Sequence, residues 1–146
     1  MKIRYYSSIE TLTTLEKQRI TSFLFNHLDE FGDSREDIGR AIDYAMSSYP
    51  LAGGFILTAE EKDDIRGAVV MNKTGMKGYI PENILVYIAV HQNHRGKGFG
   101  KILMNESLRY TKGDIALHVE PENPAKFLYE KMGFDNKYLE MRLKRS

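Results

Sequence analysis

The sequence predicts one α/β domain, and three observations carry that expectation. At 146 residues, with 42% hydrophobic and 28% charged side chains, the chain has the length and balance of a single compact core spanning residues 1–146. Runs of β-rich, partly alternating sequence are interleaved with runs at helical spacing. Between Asn83 and Val119 the order strand, glycine loop, helix, strand makes a βαβ unit, which demands a parallel pair.

Ile3 to Tyr6 reads as a short first strand. Thr13 and Glu16 have capping-box spacing, so a helix starts there, with Leu15, Ile20, Phe23, Leu24 and Leu28 as its apolar positions and Gly32 as its stop. Asp33 and Glu36 repeat the spacing before a second stripe of Ile38, Ala41, Ile42, Ala45 and Met46, which ends before Pro50. Phe55 to Ala59 and Ile65 to Met71 form a hairpin around the polar segment 60–64. Residues 72–81 form a loop, and Asn83 to Val90, apolar on both faces, is the central strand. A helix over Phe99 to Tyr110 and a strand over Ile115 to Val119 follow. Asn123 caps the next helix, with Pro124 at its first position and Gly133 closing it. Leu139, Met141 and Leu143 alternate with Glu140, Arg142 and Lys144, the pattern of a final strand.

Composition removes several function classes. The longest strongly apolar stretch, Ile84 to Val90, is far shorter than the roughly 20 residues that span a bilayer, so no membrane partner is expected. The first residues lack the apolar core of a secretory signal, which makes the cytoplasm the expected location. With no cysteine there is no disulfide, thiolate metal site or cysteine nucleophile. Residues 1–50 carry 6 basic and 8 acidic side chains and residues 51–146 carry 15 and 12, too mild an asymmetry for a dedicated nucleic-acid binder. His91 and His94 are three residues apart in a loop with no evident third ligand, so no metal is expected.

The run from Val90 to Lys101 sits where the central strand passes into a helix. Glycines at 96, 98 and 100 let the backbone approach a ligand closely, and the first N–H groups of the helix are unpaired and sit at its positive end. A phosphate or pyrophosphate fits, with Arg95, Lys97 and Lys101 adding charge. Two familiar loops fail by spacing. A dinucleotide fingerprint beginning at Gly96 would need glycine where Lys101 stands, and a Walker loop would need glycine at Arg95 and a hydroxyl residue at Ile102.

What the run does contain is Arg-x-x-Gly-x-Gly over Arg95, Gly98 and Gly100, and here the chain resembles the GNAT superfamily of acetyl-CoA-dependent N-acetyltransferases. The likeness extends to Asn123, Pro124 and Ala125 followed by Phe127, Tyr129, Gly133 and Phe134, which is similar to the family's second coenzyme-binding motif. The resemblance implies a mixed, mostly antiparallel sheet with one splayed parallel pair, flanked by about four helices. It implies acetyl-CoA as cosubstrate and a primary amine on a small molecule, peptide or protein as acceptor; a homodimer is compatible with it. It places the coenzyme against Ile88, Val90, Arg95, Gly96, Lys97, Gly98, Phe99, Gly100, Lys101, Asn123 and Tyr129.

Acetyl transfer needs a neutral amine, a polarised thioester carbonyl and a proton for the departing thiolate. By the resemblance, backbone groups at Ile88 and Val90 polarise the carbonyl, an arrangement worth about 3 to 4 kcal/mol per donor elsewhere. Tyr129 stands where many relatives carry the general acid; a tyrosine with a pKa of about 10 is protonated at neutral pH and can donate. Some relatives carry a glutamate base on the central strand where this chain has Ile84. Glu82 and His118 are the candidates for that role, against the plainer readings of a solvated strand end and a hydrogen-bonded sheet residue. The acidic side chains of the first half, Asp29 and Asp33 among them, suit attraction of a cationic amine, although helix surfaces are commonly charged. The same fold without a working base would be a non-catalytic acyl-CoA sensor.

Overall fold

The computed structural model describes residues 1–145. Strands β1 (Lys2–Tyr6), β2 (Gly54–Glu61), β3 (Asp64–Lys73), β4 (Asn83–Val90) and β5 (Ile115–Leu117) lie side by side in that order. The first four pair antiparallel and β4 pairs with β5 in parallel. Helices α1 (Thr14–His27) and α2 (Arg35–Ala45) precede the hairpin, α3 (Phe99–Arg109) links β4 to β5, and α4 (Ala125–Lys131) follows. This is the mixed, mostly antiparallel sheet with four helices that the resemblance implies. Among the described residues no helix is long and apolar enough to cross a membrane.

The sheet separates two cores. On one face Ile20, Phe23 and Leu24 of α1 and Ile38, Ile42 and Ala45 of α2 bury against Ile56, Val70 and Tyr87. On the other, Leu103 and Met104 of α3 and Tyr129 of α4 bury against Leu57, Val69, Met71 and Leu85. Leu15 misses the α1 stripe because it is five residues before Ile20, well round the helix, and it is 65% exposed.

Thr13 caps α1 with the expected box, its side chain accepting from the Glu16 N–H while Glu16 accepts from the Thr13 N–H. At α2 the cap is displaced by one residue. Ser34 accepts from the Asp37 N–H at 3.2 Å, and Asp33 instead accepts from the Tyr87 hydroxyl at 2.5 Å. The hairpin is also longer than expected, because Glu60 pairs with Ile65 and Glu61 with Asp64, leaving Lys62 and Asp63 as the turn with φ of 51° and 66°. Glu60 is buried yet compensated by the Thr58 hydroxyl at 2.9 Å and by Arg4 and Arg19 at 3.2 and 3.7 Å.

Two irregularities shape the middle of the sheet. Val70 pairs with Tyr87 and Met71 with Leu85, so Val86 is the extra residue of a β-bulge that turns Ile88 and Val90 towards the α3 and α4 face. Pairing of β4 with β5 covers only Asn83 to Leu85, so β5 stops at Leu117 rather than Val119, and the two strands part beyond it. The expected final strand does not form. Leu139, Met141 and Leu143 are 83%, 90% and 85% exposed in irregular backbone, for alternation makes a strand only where a neighbour supplies the hydrogen-bond row.

Candidate active site

The segment after β4 leaves Val90, forms a 3-10 turn over Gln92–His94 and enters α3 through Gly98. No internal acceptor among the described residues takes a hydrogen bond from the backbone N–H of Gly96, Lys97, Gly98, Phe99, Gly100 or Lys101. Six adjacent donors at a helix mouth form an anion-binding concavity. Gly96 and Gly98 have φ of 76° and 84°, and a β-carbon on either would meet nothing within 4 Å, so their glycines serve backbone conformation and leave open space above the amides. Gly100 differs. A β-carbon there would lie 3.1 Å from Leu128 Cδ2, so its glycine serves the contact of α3 with α4.

Arg95 is turned away from that open space. Its guanidinium donates to Asp29 at 2.8 Å, to the His27 carbonyl at 2.6 Å and to the Val90 carbonyl at 3.2 Å. Those bonds hold the Asp29 carboxyl below the usual carboxylate range, with help from the Gln92 side chain. Lys97 and Lys101 form no ion pair among the described residues and are exposed, so they supply the cationic charge at the mouth of α3.

Where β4 and β5 part, Ile88 and Val90 share a face with Tyr129. Tyr129 is 9% exposed, burial pushes its hydroxyl up to about 12, and the hydroxyl has no hydrogen-bond partner among the described residues. Its ring meets Phe134 edge-on at 5.9 Å, and its carbonyl accepts from the Phe134 N–H, which fixes the end of α4 beneath it. Asn123 accepts from the Ala125 N–H at 2.9 Å and so shapes the entry to α4.

The other candidates lie further out. Glu82 lies one residue before β4, beside the paired end of β4 and β5, its carboxylate over Gly113 and accepting from the Asp114 N–H at 3.3 Å. His118 is exposed one residue past the end of β5, at the point of parting. No group of three His, Asp or Glu side chains among the described residues could hold a metal. Sequence reasoning missed the partners of the loop. His27 stacks on His91 with ring centroids 4.2 Å apart, Arg66 donates to His94 Nε2 at 2.7 Å, and Asp29 anchors Arg95 across 66 positions. No local pattern marks contacts so distant in the chain.

The free amides, the open space over Gly96 and Gly98, the two unpaired lysines and the unpartnered Tyr129 hydroxyl suit a diphosphate-bearing thioester. A structure of aminoglycoside N-acetyltransferase AAC(6')-Iy in complex with CoA superposes with a TM-score of 0.66 at 14% identity, covering 99% of each chain. AAC(6')-IG from Acinetobacter haemolyticus gives 0.70 at 12% identity over 100% of this chain and 99% of that one. Ribosomal-protein-alanine N-acetyltransferase from Brucella melitensis biovar Abortus 2308 gives 0.64 at 16% over 99% and 100%. At such identities the likeness is one of fold. A curated relative from Pseudomonas phage PaMx11, named 5-NmdU N-acetyltransferase, is 32% identical over 83 residues, 56% of this chain and 57% of its own length. The chain thus spans little more than half of that relative. The model described as the acetyltransferase (GNAT) family matches residues 12–134, and with that match over most of its length the chain belongs to the GNAT acetyltransferases.

Proposed function

We propose that this protein transfers an acetyl group from acetyl-CoA to a primary amine of a small-molecule, peptide or protein acceptor, by direct attack of the amine and in the cytoplasm. The observation that carries the reading is the row of unpaired amides from Gly96 to Lys101 at the start of α3. Acetyl-CoA, the cosubstrate of this family, supplies the activated acyl group. The amides and the ammonium groups of Lys97 and Lys101 hold its diphosphate, and Asn123 shapes the wall contributed by α4.

The β4 edge beyond Leu85, no longer covered by β5, offers backbone groups at Ile88 and Val90 to orient the thioester. The Val90 carbonyl is occupied by Arg95, so Val90 contributes through its N–H or its side chain. Tyr129 donates a proton to the leaving thiolate, a role that its neutral hydroxyl, on a largely buried side chain, suits. Of the two base candidates His118 is the better placed, because Glu82 is committed to the turn at Asp114. His118 takes the proton that the acceptor ammonium must lose before attack.

The test is release of free thiol from acetyl-CoA across polyamines, amino acids, aminoglycosides and peptide N-termini, with 5-NmdU included because the phage relative is named for it. Turnover with any of them supports the reading. A second reading, a non-catalytic acyl-CoA sensor, is favoured by one observation, the apolar Ile84 where some relatives carry a carboxylate. Tight coenzyme binding with no transfer to any amine, and no change on Tyr129→Phe, selects it.

A further inference from the structure

We propose that Asp29 and His27 are positioning residues that clamp the coenzyme loop to the C-terminal end of α1, with His91 of the loop packed against His27, and that acid opens the clamp. The inference rests on the coenzyme reading for its affinity readout but not for its geometry. Asp29 takes Arg95 on Oδ2 at 2.8 Å and the Gln92 side chain on Oδ1 at 2.8 Å. Arg95 also binds the His27 carbonyl at 2.6 Å, so the segment bearing the free amides is tied at its base to residues 27–29. Asp29 holds a left-handed φ of 57°, a conformation that persists where surrounding contacts determine it.

The histidines take part through their lone pairs. The Gln92 N–H donates to His27 Nδ1 at 3.2 Å and the Asn93 N–H donates to His91 Nδ1 at 3.1 Å. Each Nδ1 must therefore be unprotonated, which puts the ring proton on Nε2 in both residues. Backbone N–H groups cannot change roles, so a proton on either Nδ1 replaces an attraction with two donors facing each other. The stacked rings, 4.2 Å apart, oppose a second positive charge as well.

The charged groups around the clamp divide unequally. Arg95 from the loop opposes protonation of His27, and Asp29 favours it. Around His94, Arg66 of β3, Lys97 and His91 oppose protonation and Glu61 of β2 favours it. Phe23 covers the apolar side of the His27 ring at 4.7 Å. Burial first, then His91 and Arg95, holds His27 below the ordinary imidazole range, so the clamp is closed at neutral pH and opens in acid.

The experiment titrates coenzyme A into the full-length protein by calorimetry at pH about 7.5 and about 5.5, with Tm recorded for every sample. Asp29→Ala is expected to weaken coenzyme A roughly fivefold to tenfold at the higher pH, beyond what any fall in Tm accounts for. Wild type is expected to lose roughly twofold to fourfold on acidification, and the double variant His27→Asn, His91→Asn, whose side-chain oxygens stand where each Nδ1 stands and do not titrate, to lose much less. The ligand's own phosphates protonate equally in both, so the difference between the two proteins belongs to the histidines.

Wild-type affinity in Asp29→Ala, weakening that only tracks a fall in Tm, or the same pH profile in wild type and double variant overturns the proposal. A readout without ligand separates the two readings: imidazole 15N shifts report whether Nδ1 of His27 and His91 carries a lone pair at neutral pH. Protonated Nδ1 atoms sink the clamp even if coenzyme binds. Unprotonated Nδ1 atoms, with loop amide signals that shift in acid, support it even if coenzyme A fails to bind and the coenzyme reading falls.

Discussion

Burial of the Tyr129 side chain sets both the chemistry and the pH dependence of its hydroxyl, which has no hydrogen-bond partner among the described residues. Pushed up to about 12, it stays protonated throughout the range in which an acetyltransferase works, so it can donate but not accept a proton there. Tyr129→Phe should lower kcat by roughly 10²-fold to 10⁴-fold while changing coenzyme affinity little, read from saturation kinetics beside calorimetry. Any alkaline fall in rate below pH about 11 should persist in that variant, because Tyr129 is not the group titrating. The effect on stability has a definite sign. In the unfolded chain the phenol ionises at about 10, two units earlier, so its contribution is intact below that pH and is lost as pH rises towards 12. Urea midpoints between these limits should fall less steeply in Tyr129→Phe than in wild type. The two loop glycines separate in the same residue-level way. Gly98→Ala puts a β-carbon into a left-handed position with free space, so coenzyme affinity should fall with a loss of about 1 kcal/mol in stability. Gly100→Ala presses on Leu128, so its main effect should be on Tm.

Elements begin and end where local chemistry says, except where a tertiary partner takes the local group. The Thr13 and Glu16 box was legible because both of its partners lie within one turn. Asp33 had the same spacing to Glu36, but the Tyr87 hydroxyl from β4 claims its carboxylate, and Ser34 caps α2 instead. Ser34→Ala should therefore cost about 1 kcal/mol in chemical denaturation through the helix end. Asp33→Asn should leave the cap intact, and equal losses through the α2 terminus in both would reverse the assignment. The strand-to-helix glycine loop and α4 were legible as elements by motif and position. The use of Arg95 was not, since its partners Asp29 and His27 come from the end of α1, brought near only by the fold. For the same reason the alternation of Leu139, Met141 and Leu143 misled: period two reports which residues could share a face, and not whether a strand edge stands ready to pair.

At the scale of the whole molecule, the sheet keeps two jobs apart. The face bearing α1 and α2 holds one core, and the face bearing α3 and α4 holds the other along with Tyr129, Ile88 and Val90. The β-bulge at Val86 and the early end of β5 open the sheet edge within this frame, so the gap depends on strands that both cores brace. Two substitutions test whether the cores act independently. Ile42→Val on the first face removes one methylene from a fully buried side chain and should cost about 0.5–1.5 kcal/mol. Leu103→Ala on the second should cost about 2–5 kcal/mol and also weaken coenzyme binding, because α3 carries the amides on its first turn. The side chains share no partner and are separated by a sheet whose packed layers lie about 10 Å apart, so the double variant should lose the sum to within about 0.5 kcal/mol. Ile42→Val alone should leave coenzyme affinity at the wild-type value. A coupling above about 1 kcal/mol, or an affinity change on Ile42→Val, would show that the sheet transmits packing from one face to the other and that the opening at β4 answers to both helix layers.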